Sequence, residues 1–404
     1  MIVAYIRSRS LIVACAAGIV GGLAGAAYVG LLHFLQRALW PDHTGLLAHG
    51  LILVAVGVGV GVLTRLLGSP GDVELMVDNI HVLGGHNDVR SLRSLIPVSL
   101  LCVSAGGGLG PEAPLVQTTG TLGTVLASRL GLDRNETRTI TITGMAAGFT
   151  VLFGAPLGSA VFALEILHRR GLEYYEALLP AVIGSLWGYA VYVVATGAGL
   201  EPVWQFPSAL PLHSGDFAWA AACGVIGAGV AAAFTLITSL LRAMIRSVPT
   251  GLRPVLGGGV LALLAWASPY ALTFGEAQIG AITTTQLTIR VLLLAATAKL
   301  LASSVTLASG WRGGFIIPLF FIGAFLGQAL HGWIPATNEW VIVTALMVAC
   351  NVGVTKTPIG SVLVVSEMTG LTVLPTALIA AVTSLLLTSN VALIDSQRRR
   401  ESVT

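Results

Sequence analysis

The sequence predicts an all-α polytopic membrane domain made of two inverted-topology repeats, with helices that break inside the bilayer. Three observations predict it. The composition leaves no soluble surface, long runs carry no charge, and one set of motifs occurs twice in the same order. Of the 404 residues, 55% are hydrophobic and 10% are charged. A soluble protein carries about 25% charged residues. A soluble chain of this length folds into roughly two or three domains, each needing a charged surface. The 21 basic and 18 acidic residues cannot supply those surfaces. The same numbers exclude disorder, and a net charge of +3 is too weak for a nucleic-acid partner. Cys15, Cys102, Cys223 and Cys350 each stand alone in apolar stretches, with no CxxC and no histidine at ligand spacing. They read as buried small hydrophobes, with neither disulfide nor metal.

Charge-free runs mark the spans in chain order. They cover 10–36, 43–64, 113–128, 139–164, 177–200, 217–241, 254–275, 313–338, 340–355 and 368–394. About 20 apolar residues cross a bilayer as a helix. The run 10–36 is too long for the apolar core of a signal peptide and reads as a first helix. No hydrophilic domain fits between the runs, so 1–404 reads as one transmembrane domain. A β-barrel would show alternation, and these runs are continuous. Arg7 and Arg9 open the chain, and Arg398, Arg399 and Arg400 close it. Basic residues stay cytoplasmic, so both termini are expected there, with an even number of crossings. Lys299 and Lys356 are isolated and read as snorkelling side chains. His168, Arg169 and Arg170 read as a solvated helix end.

Glycine supplies the next signal, at 49 residues. It lets membrane helices approach closely and lets them break. Many glycines stand beside prolines, around 68–71, 106–114, 154–158 and 313–318. These clusters recur. Pro156-Leu157-Gly158-Ser159 is followed after five residues by Glu165, and Pro358-Ile359-Gly360-Ser361 after five by Glu367. Gly110 to Pro114 spells Gly, three residues, Pro, and so does Gly314 to Pro318. The halves are therefore about 1–200 and 201–404, each with an odd number of spans. Transporters built this way hold substrate near the midplane, at broken helices in matching positions.

Both Gly–Pro segments read as helix starts. Proline suits a first turn, and a helix start leaves N–H groups free with partial positive charge. Two such starts aimed at one place make an anion site, held loosely enough for the ion to leave. Arg312 is the nearest full positive charge to the second start, and is assigned to a vestibule, an interface or a structural role. Glu112 is the only charge between Ser94 and Ser128. A carboxylate at membrane depth is expensive unless partnered or wet. As a simple cap it would hold a first turn. As a gate it would compete with an anion for the same N–H groups, and protonation would release it. Glu165 and Glu367 are expected near the polar surface, in a helix-end or interface role.

These residues resemble the CLC family of chloride channels and proton/chloride antiporters. Gly110-Pro111-Glu112-Ala113-Pro114 is similar to the family's GREGP motif, with Glu112 in the place of the gating glutamate. The segment from Gly313 through Gly314, Phe315 and Ile316 to Pro318 is similar to GxFxP. Phe315 and Ile316 then stand where the family offers backbone N–H groups to the anion. The stretch from Ala155 to Glu165 resembles the helix after the gate, and Val365-Ser366-Glu367-Met368-Thr369 resembles a late V-x-E-M-T stretch. Gly68-Ser69-Pro70-Gly71 is the best match to GSGIP, with Ser69 or Pro70 in the serine's place and Gly71 beside it. The resemblance implies an anion site formed by Ser69, Pro70, Gly71, Gly110, Pro111, Ala113, Gly314, Phe315 and Ile316. It implies a homodimer with one pathway per subunit, bound chloride or another halide and no other cofactor. The apolar runs are expected to leave no room for the nucleotide-binding domains that some members carry.

The departures are specific. Pro111 stands where a basic residue is usual, and Ala113 where glycine is usual. The last tyrosine of the chain is Tyr270, so the family's central tyrosine is missing, with Asn390 in that region. Ile166 stands where antiporters carry an internal proton-relay glutamate, leaving water or Glu165 to serve. The resemblance thus implies chloride/proton antiport gated by Glu112 in a cell membrane, or a passive chloride channel, or a fluoride- or nitrate-selective relative. No HExxH and no paired carboxylates on one apolar segment point to an enzyme.

Overall fold

The computed structural model describes residues 9–40, 45–71, 73–85, 88–168, 174–199, 203–204, 206–207, 211–394 and 397. Arg7, Arg169, Arg170, Arg398, Arg399 and Arg400 lie outside them. Among the described residues there are sixteen α-helices and no strand. The first half contains α1 (Arg9–Leu39), α2 (Leu46–Leu67), α3 (Val73–Val82), α4 (Arg90–Ser104), α5 (Glu112–Arg129), α6 (Arg134–Phe153), α7 (Pro156–Glu165) and α8 (Leu178–Thr196). The second contains α9 (Ser214–Met244), α10 (Arg253–Ala267), α11 (Glu276–Ala281), α12 (Ile289–Ala308), α13 (Ile316–Trp333), α14 (Glu339–Thr355), α15 (Pro358–Thr369) and α16 (Leu374–Leu387). Each helix of the first half has its counterpart eight helices later. α1 and α9 are both 31 residues long, and α5 and α13 both 18. A short 3-10 turn precedes both α8 and α16.

Six helices are long and apolar enough to cross a membrane: α1, α2, α8 with its preceding 3-10 turn, α9, α12 and α13. The run 139–164 proves to be two helices. Gly154 takes a left-handed φ of 63° and ends α6, and Pro156 opens α7. In the second half Lys356, with φ 63°, ends α14, and Pro358 opens α15. A left-handed lysine is unusual. Its Nζ holds it there by donating to the Thr388 carbonyl at 2.7 Å, to Thr388 Oγ1 at 2.8 Å, and to the Gly353 carbonyl. Lys299 is also fully buried, and donates to the carbonyls of Leu272 and Thr273 at 2.8 and 2.6 Å. Neither lysine snorkels, because backbone carbonyls solvate both ammonium groups. Lys299 also hid α12 from the charge-free runs.

The glycine excess has a packing cause. A Cβ on Gly144 of α6 would overlap the Thr119 carbonyl of α5, and one on Gly323 of α13 would stand 2.5 Å from Met347 Cα of α14. Without side chains at these points the helix backbones touch. The short helices α7 and α15 meet the same way, where a Cβ on Gly158 would stand 2.5 Å from Val364 N, and one on Gly360 2.5 Å from Phe162 Cα.

Each of these short helices is capped by the other's glutamate. Glu165 accepts the N–H groups of Ile359 and Gly360 at 3.2 and 2.6 Å, and Glu367 accepts that of Gly158 at 2.7 Å. Glu165 is therefore buried, at 5% exposure, and not at the polar surface expected from sequence. Removing it leaves two N–H groups without acceptors, at about 1–3 kcal/mol each. Glu165→Ala is expected to lower the thermal unfolding midpoint in detergent clearly more than Glu165→Gln, which keeps one acceptor oxygen.

Candidate anion site

The two Gly–Pro segments meet. Gly110 N–H donates to the Gly314 carbonyl at 2.7 Å, and Gly314 N–H to the Gly110 carbonyl at 2.6 Å. This antiparallel bridge sets the starts of α5 and α13 side by side. It also uses the N–H groups of Gly110 and Gly314 on each other, so these two glycines align the site and offer no donor to a ligand. The loop before α5 is tied to α12, where Ser303 Oγ donates to the Gly108 carbonyl at 2.6 Å and Gly108 N–H donates to Thr306 Oγ1 at 3.2 Å. Arg312 N–H donates to Cys102 Sγ at 3.3 Å and fixes the loop before α13. The four cysteines are free thiols.

Glu112 is the first residue of α5, yet its carboxylate serves the other helix. Oε1 accepts the N–H of Ile317, in the first turn of α13, at 2.6 Å. Glu112 has no solvent exposure, and its Oε2 has no partner among the described residues. The carboxylate fits only because its neighbours are glycines. A Cβ on Gly314 would stand 2.5 Å from Oε2, and one on Gly110 2.7 Å from Cδ. Sequence reasoning named Phe315 and Ile316 as donors and missed Ile317. The signal was present, since a helix that starts at residue 316 leaves its second N–H unpaired.

Glu112 stands between two open cavities. Pro111 lines one, together with His33, Tyr189, Tyr192, Phe274 and Glu276. Ala113 and Phe315 line the other, of about 60 Å³, with Gly71, Arg242, Arg312 and Ile394. A small apolar void of about 20 Å³ lies beneath the starts, bounded by Ala113, Phe149, Ile166, Gly314, Phe315 and Ile316. Pro111, Ala113, Gly314, Phe315 and Ile316 thus surround one place, with Glu112 in it and Ile166 below it. Arg312 lines the cavity of about 60 Å³, and the exposed Arg242 joins it. Together they give that mouth positive charge, which favours anions.

Three expected residues do not converge here. Gly71 is the member of the first motif that lines the cavity; Ser69 is exposed, and Pro70, though buried, is not in the lining. Asn390 is exposed on the turn after α16, and Leu393 and Ile394 line the cavity instead. His168 is buried rather than solvated, with its ring centroid 5.1 Å from that of His81. Among the described residues no group of three His, Cys, Asp or Glu side chains is placed to hold a metal ion.

Paired helix starts inside a helical membrane domain, with one carboxylate between two cavities, define a membrane transport protein. The profile of the family described as voltage gated chloride channel matches residues 56–389, and the chain belongs to that family. A chloride/fluoride channel protein of Pseudomonas syringae pv. tomato is 28% identical over 400 residues, covering 95% of this chain and 85% of that one. The fold is similar to the crystal structure of a CLC-type fluoride/proton antiporter, with TM-score 0.80, 23% identity, and 96% and 97% of the two chains covered. It is also similar to a slow cyanobacterial Cl-/H+ antiporter, with TM-score 0.83, 18% identity and 95% of each chain covered. The family is one of anion channels and transporters, so the chain is an anion-transport protein and not an enzyme.

Proposed function

We propose that the protein exchanges chloride or a similar small anion for protons, with Glu112 as the protonatable gate. The observation that carries this reading is the Glu112 Oε1 bond to Ile317 N–H, between two cavities. A carboxylate there occupies the donor an anion needs, and blocks the way. Protonation removes its charge and weakens that bond. The side chain then leaves, an anion takes the N–H groups of α5 and α13, and the proton travels with Glu112. The anion is held by the partial charges of helix starts, so release stays easy.

The Arg312 cavity reaches Leu393 and Ile394, close to the basic end of the chain. With both termini cytoplasmic, that cavity is the cytoplasmic mouth and the Glu276 cavity the external one, in a cell membrane. We also assign a homodimer. The helices α7 and α15 have 10 and 12 residues, about 15–18 Å, too short to cross a bilayer of about 30 Å. They leave Leu157 and Ile359 half exposed, and a second copy would cover them.

Fluoride is the second reading for the cargo. It is favoured by a cavity whose lining, among the described residues, has no serine or tyrosine hydroxyl, leaving backbone N–H groups, the Gln117 amide and the arginine side chains as donors around the ion. Purified protein in chloride-loaded liposomes is expected to drive protons uphill as chloride leaves. Chloride efflux without proton movement would make the protein a channel. Proton movement with fluoride and none with chloride would establish the second reading. No flux of any anion would overturn both.

A further inference from the structure

We propose that Glu276 is the proton acceptor of the vestibule on the Pro111 side, and that it passes protons to Glu112. This deepens the proton-coupled reading above and rests on it.

Glu276 opens α11, a helix of six residues outside the six spans. Two open cavities of about 250 and 310 Å³ share Glu276, His33 and Phe274 in their walls, and the first reaches Pro111. Glu276 therefore faces open cavities, one of which reaches the residue that precedes Glu112. It lies within electrostatic reach of Glu112. Its backbone carbonyl accepts Trp204 Nε1 at 3.1 Å, while nothing among the described residues bonds or pairs its carboxylate. A half-buried carboxylate facing a cavity without a partner is poised to take a proton. Burial pushes it up to about 7, so it is protonated below that pH and ionised above it.

The segment that presents Glu276 is held hard. Thr273 has a left-handed φ of 61°, and its N–H donates to the Gly106 carbonyl at 2.9 Å, in the loop that leads to Gly110. Lys299 clamps the Leu272 and Thr273 carbonyls from α12. Backbone strain of this kind persists only where the surroundings over-determine it. The titratable groups around the cavity are His33 on α1, with Arg37 near it, Tyr189 and Tyr192 on α8, and Glu112 on α5. Lys299 approaches the carbonyls and not the carboxylate. Among the described residues no other carboxylate lines either cavity. The step is a plain transfer. A proton from vestibule water converts the carboxylate of Glu276 to the acid. The acid loses it through water to the carboxylate of Glu112, which becomes neutral and leaves Ile317.

The test is paired proton and chloride flux in liposomes for the wild type, Glu276→Gln and Glu276→Asp. Wild-type protein is expected to move protons, with a rate that falls as pH on the Pro111 side rises past about 7. Glu276→Gln should keep chloride flux within about twofold, lose about tenfold in proton flux, and lose that pH step. Glu276→Asp should recover much of the proton flux. An unchanged proton-to-chloride ratio in Glu276→Gln, or an equal fall of both fluxes, would overturn the role of Glu276 and leave coupling intact. A wild type that moves chloride and no protons would instead overturn the coupled reading, and this proposal with it.

Discussion

Glu112→Gln is expected to abolish proton movement and leave anion flux that no longer responds to pH. The amide keeps an oxygen for the Ile317 N–H, now bonded at 2.6 Å. It can neither take nor release a proton across the physiological range. Its neutrality also removes the charge that repels an incoming anion, so the anion competes with it on equal terms at every pH. Proton flux should fall by about two orders of magnitude or more, the scale of losing an acid–base group. Anion flux should persist. Paired electrode recordings from liposomes read both quantities. Retained uphill proton transport in Glu112→Gln would remove this residue from the proton path, whatever the geometry around it.

The fold class was legible because the bilayer simplifies the code. Charge-free length marks spans, and the two Pro-x-Gly-Ser…Glu motifs marked the repeat. What stayed hidden was charge whose solvation is tertiary. Lys299 broke the apolar run over α12, and only packing supplies the carbonyls at 271–273 that solvate it. The same limit applied at the site. The spacing of Gly110 and Pro114 located the start of α5, and Glu112 stood out by its isolation. That its carboxylate turns away from α5 to cap α13 depends on the Gly110–Gly314 bridge, which no local pattern encodes. Ser69 and Asn390 were placed by motif and by region. Loop geometry left only Gly71 of that motif at the cavity and put Ile394 there in place of Asn390.

The repeat also sets Glu112 apart from the other two capping glutamates. Glu165 and Glu367 cap each other's helices reciprocally. Glu112 caps α13, but its counterpart in the second half, 204 residues on, is Ile316. Among the described residues no carboxylate returns the bond to α5, and Ala113 lines the cavity beside this one-sided cap.

Gly110→Ala tests that arrangement from the other side. The added methyl would overlap Oε2 of Glu112 and come 2.7 Å from its Cδ. Those atoms are the far end of a flexible side chain, so the carboxylate should yield before the backbone does. The bridge to Gly314 uses only backbone atoms and can persist. Glu112 would then be displaced from Ile317 without losing its ability to titrate. Anion flux is expected to rise by about tenfold or more and proton coupling to weaken, because loss of a charge-assisted hydrogen bond removes about 1.5–3 kcal/mol from the closed state. Gly314→Ala is the harsher control, since its methyl would also stand 2.9 Å from the backbone N of Ala113. A Gly110→Ala protein with normal thermal stability and unaltered, fully coupled flux would show that the docked carboxylate is not what closes the path.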